Sequence, residues 1–112
     1  MSTFYVVHHT FKVGKAPTFW KEAGEMMGDP VAMKAALDKT LAAGFHCHTF
    51  MPVNMEGPVF CVWETRVGLG AEELQEYIDG PDGPGKGLCM NNTVMPINAA
   101  LNPAPPFPRK FE

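Results

Sequence analysis

Clustered basic charge is missing from this sequence. Nine Lys and Arg are dispersed among twelve Asp and Glu, giving a formal charge of −3. That balance excludes nucleic acid as the main partner, because phosphate binding needs grouped Lys and Arg. Long apolar runs are missing too: none approaches the roughly 20 residues that span a bilayer. The opening "MSTFYVVHHTF" enters a strand-like pattern at once, without the basic start and apolar run of a secretory leader. Cysteine is scarce, with Cys47, Cys61 and Cys89 widely spaced and no C-x-x-C among them. A disulfide framework and cysteine-based zinc or redox chemistry are thereby excluded. These absences together predict a cytoplasmic protein with reduced thiols and no membrane partner.

What is present is globular. Apolar residues make up 46% and charged residues 19% of 112 positions, a composition and length suited to one hydrophobic core. Residues 1–102 are expected to form that single domain. The remainder, 103–112, carries "PAPPFPRKFE" and reads as a Pro-rich arm, unable to continue a helix or a central strand. Phe107 and Phe111 suit it to dock on its own domain or on a partner. Pro105, Pro108 and Lys110 also fit a P-x-x-P-x-K recognition pattern, although a structural arm is the simpler reading.

Along the chain, β-branched and aromatic residues predict strands over Thr3–Phe11, Phe45–Met51, Val59–Thr65 and Leu88–Ile97. A helical region after "KVGKAP" is interrupted at "GDP", where Asp29 is a natural N-cap and Pro30 a natural first-turn residue. The second piece pairs Lys34 with Asp38 and stops at Gly44. A further helix over Ala71–Asp79 places Leu74, Tyr77 and Ile78 on one stripe. "GPDGPGKG" imitates the start of a phosphate-binding loop. It has Gly87 where Ser or Thr should hold magnesium, and no helix follows it, so nucleotide binding is excluded. The β-α-β-β-α-β order predicts an α+β, ferredoxin-like sandwich: a four-stranded antiparallel sheet with helices on one face. Two such open faces meeting would form a homodimeric α+β barrel.

The candidate site rests on strand parity. In "FHCHTF", His46 and His48 share one face while Cys47 points to the other. Phe45, Cys47 and Met51 form the more apolar parity, which assigns both histidines to the open face. His8 falls there with Phe4 and Val6, and Glu64 there with Phe60 and Val62. Three imidazoles and a carboxylate suit a divalent ion such as nickel, zinc, cobalt or copper. His8 would lie nearly 10 Å from the His46–His48 pair if a third strand separates them, so a partner subunit would have to complete the set. The buried cysteines are expected to be packing residues rather than nucleophiles.

"VFCVWET" at Val59–Thr65, "AEELQEYIDGPDG" after it and, more weakly, "FYVVHHTF" resemble a family of small ferredoxin-like proteins of unknown function, one member of which is described as nickel-binding. The resemblance implies a homodimeric ferredoxin-like fold holding divalent metal in cavities near the sheet. The metal ligands His8, His46, His48 and Glu64 come from strand parity and not from that family. The chain also looks like the wider dimeric α+β barrel group, which includes cofactor-free monooxygenases, isomerases and haem-handling proteins; fold alone does not choose among them. The leading expectation is a homodimer binding a divalent transition metal through the open-face histidines. The alternatives are a small enzyme using His or Glu64 as acid or base on an apolar ligand, and an interaction module with no ligand.

Overall fold

A computed structural model describes residues 1–112. Four strands and three helices follow one another as β1 (Thr3–Phe11), α1 (Ala16–Met27), α2 (Pro30–Ala42), β2 (Phe45–Pro52), β3 (Val59–Thr65), α3 (Ala71–Asp79) and β4 (Met90–Pro96). The result is a small α+β domain. Its single sheet has the order β2-β3-β1-β4 with every neighbouring pair antiparallel. None of the helices is long and apolar enough to cross a membrane.

Local chemistry explains the helix boundaries. The Asp29 side chain accepts a hydrogen bond from the Ala32 N–H at 3.1 Å, which caps α2 directly after α1 has ended at Gly28. Gly44 closes the helical region with φ +95°, and a Cβ there would sit 2.5 Å from the Leu69 side chain. Both the backbone conformation and the space therefore require glycine at that corner. Lys34 and Asp38 form the i,i+4 pair on the outer side of α2 at 2.6 Å.

The helices contribute unequally to the core. Leu74 and Ile78 of α3 are fully buried against Tyr5, Val7, Val59, Cys61 and Trp63, the residues of β1 and β3 that face the helices. α1 contributes Phe19, which packs with Cys89 and Met90 at the far end of the sheet. α2 buries no residue completely. It is attached at the β2 side through a Thr40–Tyr77 hydroxyl bond of 3.0 Å and a Lys39–Asp82 pair of 2.8 Å. Met33, Leu37 and Leu41 share a face as their spacing suggests, yet Leu37 remains exposed.

Parity holds along β1 and β3 but breaks once in β2. Cys47 lies opposite Trp63 and Thr49 opposite Val62, so His48 is an extra residue without a partner. A bulge of this kind re-aims the side chains beyond it. Phe50, opposite Cys61, therefore turns to the helix side and meets Phe19 and Trp20. Met51, opposite Phe60, turns to the open face. The expectation that Met51 lies under the helices with Phe45 and Cys47 fails for this reason.

Candidate functional site

Cross-strand register arranges the open face in rows. One row runs Met51, Phe60, His8, Thr93; the next runs Thr49, Val62, Val6, Met95. A third contains His46, Glu64 and Phe4, with Ile97 beside it through an N–H bond to the Phe4 carbonyl. The bulge holds His48 next to that third row, where its ring centroid is 4.5 Å from that of His46.

The C-terminal arm lies over this third row. Glu64 is completely buried, and both of its oxygens are used. The Lys110 N–H donates to Glu64 Oε1 at 2.8 Å and the Phe111 N–H to Oε2 at 3.0 Å. His48 Nε2–H donates to Oε1 at 2.7 Å, and Phe107 stacks on the His48 ring at 5.0 Å with an interplanar angle of 8°. Arg109 donates to the Ser2 carbonyl at 2.6 Å and to the Ser2 hydroxyl at 2.7 Å, while its guanidinium sits 5.2 Å from the Phe4 ring centroid. The segment from Phe107 to Phe111 is thus seated in a cradle of Ser2, Phe4, His48 and Glu64.

Charge explains why the cradle is specific. Burial alone would raise the Glu64 pKa; the Ser2 hydroxyl, the Lys110 and Phe111 amides and the His48 imidazole outweigh it and hold the carboxyl below the usual range. Hydrogen bonds to an ionised group contribute about 1.5–3 kcal/mol each, roughly twice the neutral kind. For His46, burial acts first and the charges of His48 and Lys110 add to it, placing its pKa below the ordinary value. His46 is therefore neutral at physiological pH, with a lone pair available.

The four expected ligands do not converge. His46, His48 and Glu64 meet at one end of the sheet, whereas His8 packs on Phe60 at 5.1 Å. Phe60 is four residues from Glu64 along β3, roughly 13 Å, and β3 separates β1 from β2. No group of three or more His, Cys, Asp or Glu is arranged to hold a metal ion. Two imidazoles remain as donors. Glu64 fits the outer role, that of a carboxylate receiving the N–H of a ligating histidine, better than the role of ligand.

Sequence reasoning did not find Ser2, Phe4 and Arg109 as site residues, because only the docked arm brings them together. A further histidine, His9, is fully buried on the helix side of β1, opposite Val59 and Asn92. There His9 Nδ1 is hydrogen-bonded to Asn92 Oδ1, Asn92 in turn donates to Asp79 at 2.9 Å, and His9 Nε2 is buried without a partner. Burial, the largest influence, lowers the His9 pKa. Of the thiols, Cys61 is pushed well above the ordinary range by the neighbouring Cys47 and by burial, which suits packing and not nucleophilic attack. Two shallow depressions lie on the acidic outer side of α3, one lined by Glu73, Glu76 and Asp82 beside Phe45, the other by Glu72, Glu76 and Asp79.

A family model described as a domain of unknown function, DUF8652, matches residues 4–104. The chain belongs to this family. Neither a curated protein nor a solved structure matches it. The family span contains Phe4, His8, His46, His48 and Glu64, and it ends before the Phe107–Phe111 segment that covers them. Membership of the family brings neither a metal nor a reaction with it.

The arm's attachment depends on an ionised Glu64. Because its folded pKa is depressed, the stability it contributes is complete above the unfolded value of about 4.3 and is lost as pH falls through the folded value. Glu64→Gln is expected to cost about 2 kcal/mol, or roughly 10 °C in thermal midpoint for a domain of this size. Trypsin should then cleave after Arg109 several-fold faster than in the wild type. Unchanged cleavage and midpoint would show that the carboxylate does not hold the arm.

Proposed function

We propose that the domain is an interaction module that works as a homodimer through its open sheet face. One observation carries this reading: the contacts of Phe107–Phe111 all fall at the third row, and the other two rows stay partly exposed at every position but the buried Val62. Met51 and Met95 are 43% and 42% exposed, and the half-buried Val6, Phe60 and His8 lie between them. A contiguous apolar strip on a sheet face marks an interface more often than a solvated surface. The strand order β2-β3-β1-β4 with helices on the other face supports a ferredoxin-like arrangement, and two such faces meeting give the α+β barrel. Sedimentation of the wild type should give a dimer, and Phe60→Lys a monomer that keeps its circular dichroism. A wild type that sediments as a monomer at all concentrations up to the solubility limit contradicts the reading.

A second reading is favoured by the imidazole pair. In it His46 and His48 hold a divalent transition ion, with nickel, zinc, cobalt and copper as candidates, and Glu64 orients His48. Two donors are too few for a tight site, so the remaining ligands would come from a partner subunit or from water. Such an ion would supply Lewis-acid character; the chain's own part is to keep His46 neutral and His48 fixed in orientation. Metal analysis of protein purified without a histidine tag should then find stoichiometric nickel or zinc, lost in His46→Ala. Metal-free protein that takes up no added nickel or zinc removes this reading.

A further inference from the structure

The arm is held only at its far end. Residues 98–106 are exposed throughout, and their hydrogen bonds stay within the tether: the Leu101 and Asn102 N–H groups to the Asn98 carbonyl, Ala100 to the Asn98 side chain, Ala104 to the Asn102 side chain. Every specific contact of the arm is made by Phe107–Phe111 with the cradle, through side chains and amides that do not depend on where the tether begins. The tether spans up to roughly 30 Å when extended. The cradle's row also directly adjoins the row of Thr49, Val62, Val6 and Met95 on the open face.

We propose that in the dimer the arms are exchanged, so that Phe107–Phe111 of one copy occupies the Ser2, Phe4, His48 and Glu64 cradle of the other. This rests on the dimer reading above and names what the cradle recognises: an aromatic–Pro–Arg–Lys–aromatic segment presented by a second copy of this chain. Two buried carboxylates then each hold two amides of the opposite chain, and self-association at the apolar strip and docking of the arms reinforce one another. Exchange of an identical element is a low-cost route to a dimer because the contacts are the same in either connection. Once the strips have met, the second arm docks at the effective concentration set by its short tether.

Two full-length variants test this. Glu64→Gln keeps the arm and spoils the cradle; Arg109→Ala keeps the cradle and lacks the tryptic site at 109. Each is mixed with the other in excess, equilibrated, and the rate of cleavage after Arg109 in the Glu64→Gln chain is followed by mass spectrometry. Exchange is expected to slow that cleavage at least threefold relative to Glu64→Gln alone. An unchanged rate overturns exchange, and it does so independently of the dimer, which the sedimentation of the wild type decides. If Glu64→Gln fails to fold, a fluorescein-labelled synthetic peptide of residues 103–112 is titrated into folded Arg109→Ala. Saturable binding at least tenfold tighter than to Arg109→Ala carrying His48→Ala supports recognition in trans. Absence of saturable binding overturns it.

Discussion

A carboxylate buried on the open side of a sheet has to be satisfied, and much of this structure follows from how Glu64 is. An isolated buried charge is costly by several kcal/mol, so it either takes up a proton or gathers donors. Glu64 gathers donors from three directions: the bulged His48 on the adjacent strand, Ser2 at the chain's start, and the amides of Lys110 and Phe111. The last two belong to a segment that is far away in sequence. A Pro-rich stretch with no secondary structure of its own is thereby ordered on the sheet. The aromatic contacts of Phe107 with His48 and of Arg109 with Phe4 extend the hold beyond the carboxylate.

That constraint changes the meaning of the histidines. Two imidazoles on one strand face invite a metal reading, and their close approach keeps it open for His46 and His48. Yet the carboxylate beside them is already committed to the arm and to His48. His8, assigned to the same face by the same parity, belongs to a different row and packs on Phe60. The open face is divided in two: a covered row around Glu64, His48 and Phe4 that organises the arm, and a partly exposed, mainly apolar strip, the face proposed above for a second copy of the chain.

The elements were legible in the sequence because each had a local physical cause. The limits of β1, β3 and α3 follow from runs of β-branched, aromatic or helix-periodic residues, and the break between α1 and α2 from Asp29 and Pro30. Parity also placed Glu64 on the face of Phe60 and Val62, where the register has it. Two things were not legible. The bulge at His48 has no signature in "FHCHTF", and one extra residue there exchanges Phe50 and Met51 between the faces. The cradle could not be assembled either, since it joins Ser2, β2, β3 and the arm over a separation of more than a hundred residues in the Arg109–Ser2 contact. The sequence carried the hint that Phe107 and Phe111 would dock; their destination depends on tertiary structure.

The central claim is that an ionised Glu64 holds the arm through two consecutive amides. Amide hydrogen exchange at Lys110 and Phe111, followed by NMR from neutral pH into the acid range, tests it most directly. Both amides are expected to be protected at neutral pH well beyond those of Leu101 and Ala104, and to lose that protection together as pH falls through the depressed titration of Glu64. Exchange at Lys110 and Phe111 as fast as in the tether at neutral pH, or protection that persists after Glu64 has taken up its proton, would contradict the account.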